Sequence, residues 1–87
     1  MKILSVGAGM IGAIVAQELS RENEVTVFDA NKAALDKLAA KGGSIKTEHG
    51  SVYDAEKFNA IIAANDIVVI AMPGSLAIVA AENALNL

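Results

Sequence analysis

Three glycines near the start of the chain are spaced as G-x-G-x-x-G, between a short apolar run and an amphipathic segment. In such a turn the first glycine permits a tight bend, the second lets the backbone approach a ligand, and the third lets a helix pack on a strand. The N–H groups at the helix start then face anions. The turn predicts a diphosphate site, with contacts from Gly7, Gly9, Met10, Ile11 and Gly12.

An acidic residue follows this turn at the distance expected of a ribose ligand. Asp29 ends a second apolar run roughly 20 positions after Gly7, and Ala30 follows it. Its carboxylate could accept hydrogen bonds from the ribose hydroxyls and would repel a 2′-phosphate. No arginine stands beside it, and Lys32 is the nearest cation. The pattern predicts that NAD is preferred over NADP, with Asp29 and Ala30 at the ribose. The alternative is that Asp29 only ends a strand and caps a turn.

A second turn, Met72-Pro73-Gly74, follows the most apolar run of the chain. In open α/β sheets, ligands bind beyond the carboxyl ends of the strands. Pro73 disfavours helix and Gly74 permits close approach of a ligand, so these three residues are predicted to line the nicotinamide side of the cofactor. A plain strand-to-helix turn is an equal alternative.

The other polar candidates predict no chemistry. Ser75 has the character of a helix cap, because no histidine and carboxylate are arranged to activate it. His49 is expected on a loop, as a surface residue. Asp54 and Glu56 are typical of a helix start, and they point about 200° apart along a helix. The catalytic residues therefore remain unknown from the sequence.

Alternating patterns along the chain predict the elements that would position these residues. Apolar runs indicate strands buried on both faces, and residues at helical spacing separate them. Asn31 and Asp54 are predicted caps, and Gly42-Gly43 a helix stop. The predicted strands are 3–6, 25–28, 45–47 and 67–71, and the predicted helices begin at Met10, at Asn31, at Asp54 and near Ser75.

This βα alternation predicts an α/β fold of the Rossmann type, with a parallel sheet in the order 3-2-1-4 and helices on both faces. Because a complete dinucleotide domain has six strands, residues 1–87 are expected to be its N-terminal part, truncated after the fourth βα unit. The rest of the domain and a substrate domain would lie elsewhere.

Composition excludes several classes of function. The chain has 87 residues and a net charge of −3, which gives no electrostatic attraction to nucleic acid or an anionic membrane. It contains no cysteine and one histidine, so no metal site is predicted. No apolar run approaches the roughly 18 residues of a membrane span, and the N-terminus lacks a signal-peptide pattern. A cytoplasmic location is the expectation.

Four segments together resemble the N-terminal domain of the saccharopine dehydrogenase and lysine 6-dehydrogenase family. They are MKILSVGAGMIGAIVAQEL, VTVFDAN, SVYDAEKF and DIVVIAMPGSLAIVAAENAL. The resemblance implies an oxidoreductase that transfers hydride between an amino acid and a nicotinamide cofactor, and a homo-oligomer formed through the absent part. It places Gly7, Gly9, Met10 and Ile11 at the diphosphate, Asp29 at the ribose, and the 72–74 turn at the nicotinamide side. Many members carry an acid near the adenine where this chain has Ser51.

The segment GSVYDAEKF also resembles the regulatory nucleotide-binding domains of potassium transport systems. There the dinucleotide would act as an allosteric ligand and no hydride would be transferred. A reductase of the short-chain or sugar-nucleotide kind is a third alternative, although the chain has no Tyr-x-x-x-Lys pair.

Overall fold

In the computed structural model, which describes residues 1–41, 44–72 and 75–80, the first strand lies at the centre of a five-stranded sheet. One of its neighbours in the sheet is the next strand in the chain, reached through a helix, and the other is the fourth strand. The elements are β1 Lys2–Val6, α1 Met10–Leu19, β2 Glu24–Asp29, α2 Lys32–Ala40, β3 Lys46–His49, α3 Ala55–Ala63, β4 Ile67–Met72 and β5 Ser75–Ala80.

The first four strands are parallel and lie in the order β3-β2-β1-β4, so the predicted Rossmann-type α/β sheet is confirmed. Val6 at the end of β1 pairs with Phe28 on one side and with Ile70 on the other. The carboxyl ends of these strands therefore share one edge of the sheet. The chain leaves β1 for α1 at this edge, where the glycine turn lies.

Alternate residues of β1 point to two separate apolar cores. Ile3 faces α1 and α2, and packs in a buried cluster with Val25, Val27 and Leu38. Leu4 and Val6 face α3 and pack with Phe28, Ile62 and Val68. Because both faces are covered, the central strands can be apolar throughout, as the sequence predicts.

Side-chain caps begin two of the helices, as predicted. The Asn31 side chain accepts a hydrogen bond from the N–H of Ala34 at 3.2 Å, and Asp54 accepts one from the N–H of Lys57 at 3.3 Å. Each cap satisfies a backbone donor that has no partner inside the helix. These caps fix where the chain turns at the edge that carries the glycine turn.

Two predicted elements differ in the structure. The helix predicted from near Ser75 is wrong: Ser75–Ala80 forms β5, antiparallel to β4. Ile78 and Val79 are β-branched, and β4 without a neighbour would leave a row of N–H and C=O groups unpaired at the sheet edge. The third strand is Lys46–His49, so His49 ends a strand where a loop was expected. The predicted stop at Gly42-Gly43 lies outside the described residues.

Candidate functional site

The turn between β1 and α1 is built by close backbone contacts that only glycine permits. Gly7 has a φ of 116°, a left-handed conformation, and its N–H donates to the Phe28 carbonyl at 2.9 Å. A Cβ on Gly12 would stand 2.9 Å from the carbonyl carbon of Gly7 and closer still to its oxygen. The first and third glycines therefore hold α1 tightly against the end of β1.

The second glycine leaves the start of α1 open. Gly9 is the N-cap of α1, no side chain caps the helix, and its first turn has no acidic residue. Among the described residues, a Cβ on Gly9 would meet no atom within 4 Å apart from its own chain neighbours. Met10 and Ile11 follow it with exposed side chains. The helix start thus presents N–H groups and the positive end of the helix dipole to an unobstructed space, as an anionic ligand requires.

Asp29 lies beside this turn and is held by backbone donors. Its Oδ2 accepts from the N–H of Ala8 at 2.7 Å, and its Oδ1 accepts from the N–H of Asn31 at 2.8 Å. The carboxylate thus joins the glycine turn to the loop that leads into α2. Its position next to the turn is the one that the sequence spacing predicts.

A cavity of about 160 Å³ opens on the other side of Asp29, toward β3. Its floor is the ring of Phe28, which is fully buried. A Cβ on Gly50 would stand 2.9 Å from that ring, so glycine is needed there as well, a role that sequence analysis missed. The cavity is lined by Val6, Gly7, Phe28, Asp29, Ala30, Gly50, Ser51, Val52 and Tyr53.

A larger groove of about 540 Å³ lies between the start of α1 and one face of α2. Gly9 and Met10 form one side, and Asn31, Lys37 and Lys41 form the other. The sequence patterns did not connect these two lysines with a site. Their four-residue spacing was a usable signal, because it puts both ammonium groups on the same helix face.

The remaining candidates lie apart from these two cavities or outside the described residues. Met72 ends β4, whereas Pro73 and Gly74 are not described. His49 is exposed at the end of β3, where its Nε2 lies 2.9 Å from the Ala30 carbonyl oxygen. Asp54 caps α3.

The described part of the chain contains neither a candidate metal site nor a helix that could span a membrane. Within residues 1–41, 44–72 and 75–80, no group of three or more His, Cys, Asp or Glu side chains is placed to hold a metal ion. None of the helices in these ranges combines the length and apolar character needed to span a bilayer.

One comparison with known proteins gives a match. The family described as "Saccharopine dehydrogenase NADP binding domain" matches residues 3–86 of the chain. A comparison with curated proteins gives no match. The family match agrees with the resemblance seen in the sequence and favours a dehydrogenase portion over a regulatory module of a potassium transport system.

The same match corrects the predicted cofactor preference. NAD was expected over NADP because of Asp29, but the matching family is a NADP-binding one. In the structure each carboxylate oxygen of Asp29 accepts one backbone hydrogen bond, so this residue also has a structural role in the turn. Lys37 and Lys41 also bring positive charge to the adjoining groove. An acid after the second strand is therefore not sufficient to exclude a 2′-phosphate.

Proposed function

Because the chain belongs to the saccharopine dehydrogenase NADP-binding domain family, we propose that it binds NADP for an oxidoreductase that acts on an amino acid of the saccharopine or lysine type. The observation that carries this proposal is the open start of α1, where Gly9 leaves free space in front of uncapped backbone N–H groups. When bound, NADP would be the hydride acceptor, and this chain would provide its binding site.

The residues present fit a dinucleotide along the carboxyl edge of the sheet. The diphosphate would lie against the N–H groups that follow Gly9, and the adenosine would enter the cavity floored by Phe28. Between these two places lies Asp29, next to the start of α2. The 2′-phosphate would lie near Asn31, at the mouth of the groove that carries Lys37 and Lys41. These positions form one continuous path.

The substitution Gly9→Ala tests the diphosphate position without disturbing the fold. Gly9 has a φ of −70°, which alanine adopts readily, and its added methyl group would touch no protein atom. The methyl would instead occupy the space proposed for the diphosphate. We expect NADP binding, measured by isothermal titration calorimetry, to weaken by at least roughly tenfold, or about 1.4 kcal/mol, with an unchanged thermal unfolding midpoint.

A matched control is Ala60→Ser, an exposed change on α3 far from the turn. This variant should bind NADP as the unchanged chain does. Equal NADP affinity in Gly9→Ala and Ala60→Ser would show that the diphosphate does not pass over Gly9, and would remove the main support for the proposal.

The amino-acid substrate is tested separately. The complete protein is mixed with NADP and either saccharopine or L-lysine, and NADPH formation is followed by absorbance. The hydroxy acid in which hydroxyl groups replace both amino groups of lysine serves as the control substrate. NADPH formation from the hydroxy acid but from neither amino acid would contradict the proposed substrate class while leaving the cofactor assignment intact.

A further inference from the structure

Tyr53 is a large aromatic side chain left in solvent at the rim of a cavity. It is 94% exposed, although Val52 beside it is half-buried and both residues line the cavity floored by Phe28. Tyrosine rings bury a large area when they find a partner, and they are enriched where one end of a contact is apolar and the other is wet. In this structure the ring covers no part of either apolar core.

The backbone under this ring is held firmly. The N–H of Tyr53 donates to Ser51 Oγ at 3.1 Å, and the N–H of Asp54 donates to the Ser51 carbonyl at 3.1 Å. Asp54 in turn caps α3. These bonds fix the point from which the Tyr53 side chain projects, while rotation about its own χ angles can still bring the ring toward or away from the cavity.

The cavity has the size and walls expected for one flat ring system. Its volume is about 160 Å³, and an apolar cavity of about 150 Å³ is known to accept a benzene ring. The Phe28 ring is held in the floor by Phe58, with their centroids 5.5 Å apart. A planar base that entered here would rest one face on the cavity wall and leave its other face toward solvent, on the side where Tyr53 projects.

We propose that Tyr53 closes over the adenine ring of the bound dinucleotide and holds it by stacking against its outer face. This inference rests on the proposed binding of NADP along the carboxyl edge of the sheet. In this arrangement the Ser51 hydroxyl oxygen accepts the Tyr53 N–H and holds the backbone beneath the ring. The stacked ring would fix the orientation of the base, so Tyr53 would act as a positioning residue for the cofactor.

The chain offers an unusually clean probe, since it contains one tyrosine and no tryptophan. The full 87-residue chain is titrated with adenosine 2′,5′-bisphosphate, and the ring protons of Tyr53 are followed by NMR. Stacking should move these signals upfield through the ring current of the adenine. Nicotinamide mononucleotide, which has a phosphate but no adenine, should leave them in place.

Two variants test whether Tyr53 contributes to binding through stacking of its ring or through its hydroxyl group. Base–aromatic stacking is worth enough that Tyr53→Ala should weaken the affinity for adenosine 2′,5′-bisphosphate roughly tenfold, whereas Tyr53→Phe should retain it. Tyr53→Ala should also keep the thermal unfolding midpoint, because the ring is exposed. Arg21→Ala, an exposed change in the turn that follows α1, is the control and should not alter affinity.

The possible failures are distinguishable. If adenosine 2′,5′-bisphosphate binds with unmoved Tyr53 signals and with equal affinity in Tyr53→Ala, the stacking role is overturned and the proposed cofactor site stands. If neither this nucleotide nor NADP binds, the proposed function and the role of Tyr53 fail together.

Discussion

The carboxylate of Asp29 connects two loops at the edge of the sheet where the cofactor is proposed to bind. One oxygen accepts the N–H of Ala8 in the glycine turn, and the other accepts the N–H of Asn31 at the start of α2. Hydrogen bonds to a charged acceptor are stronger than neutral ones. The residue therefore stabilises the geometry of the turn before any ligand arrives.

Removal of this carboxylate should destabilise the fold as well as the site. In Asp29→Ala both N–H donors lose their acceptor, and we expect the free energy of unfolding to fall by about 1–3 kcal/mol. Urea unfolding followed by circular dichroism measures this change. Asp36→Ala is the control, because its ion pair with Lys32 is exposed, and such surface pairs contribute about 0–1 kcal/mol. Equal effects of the two substitutions would mean that Asp29 has no structural role.

The position of Asp29 could be predicted from the sequence, but its hydrogen-bond partners could not. Spacing from Gly7 places an acid at the end of the second strand, and the glycine pattern gives each of Gly7, Gly9 and Gly12 a distinct place in the turn. The direction of a carboxylate depends on backbone N–H groups brought in by two separate loops. The cofactor preference inferred from residue type alone was wrong, since the matching family is a NADP-binding one.

At the scale of the elements, β3 is the exposed edge of the sheet and is joined to β2 by charged side chains. The Lys46 ammonium donates a hydrogen bond to Glu24 at 2.9 Å. This hydrogen bond, together with the positive charge of Lys46, holds the pKa of the Glu24 carboxyl below its ordinary value. A charged edge of this kind also discourages pairing with strands of other molecules.

Lys46→Met should therefore raise the pKa of Glu24 toward its ordinary value of about 4.3. The pKa is read from an NMR titration of the side-chain carboxyl carbon. Since the folded-state pKa is lowered, the pair stabilises the fold at pH values above the ordinary pKa, and this contribution is lost as the pH falls through the folded-state pKa. Lys41→Met, on another element, should leave the titration of Glu24 unchanged. An unmoved pKa in Lys46→Met would exclude Lys46 as the cause.

Local sequence patterns predicted most elements correctly but gave a helix in place of β5. The caps at Asn31 and Asp54 are encoded within a few residues of each helix, so the sequence is enough to find them. The segment Ser75–Ala80 is compatible with either helix or strand, and pairing with β4 determines the outcome. Met72 pairs with Ser75 and Ile67 with Ala80, so the two strands are consecutive and antiparallel. An apolar run that resumes two residues after a strand was therefore a usable signal for a returning strand, beside the helix that was predicted.

At the scale of the whole molecule, the strand order β3-β2-β1-β4 places β1 and β4 side by side. From their common carboxyl edge, the chain continues from β1 through α1 to β2 on one side, and from β4 to β5 on the other. Ligands bind at such a switch point in open α/β sheets. The glycine turn, Asp29 and the cavity floored by Phe28 lie at the carboxyl edge. The groove beside α2 begins at the same edge, at Gly9 and Asn31, and extends along the helix to Lys41. The fold therefore places the proposed cofactor site at one end of the sheet.

A ligand that binds only the folded chain must stabilise it by mass action. At a free concentration 100 times its dissociation constant, NADP should raise the free energy of unfolding by about 2.7 kcal/mol. Urea unfolding with NADP and with NAD at the same concentration compares the two cofactors. We expect a larger effect from NADP, and a smaller difference between them in a Lys37→Met variant, because Lys37 lines the groove that begins at Asn31. Equal or greater stabilisation by NAD would contradict the cofactor assignment, whereas a preference for NADP that survives in Lys37→Met would locate the 2′-phosphate away from that lysine.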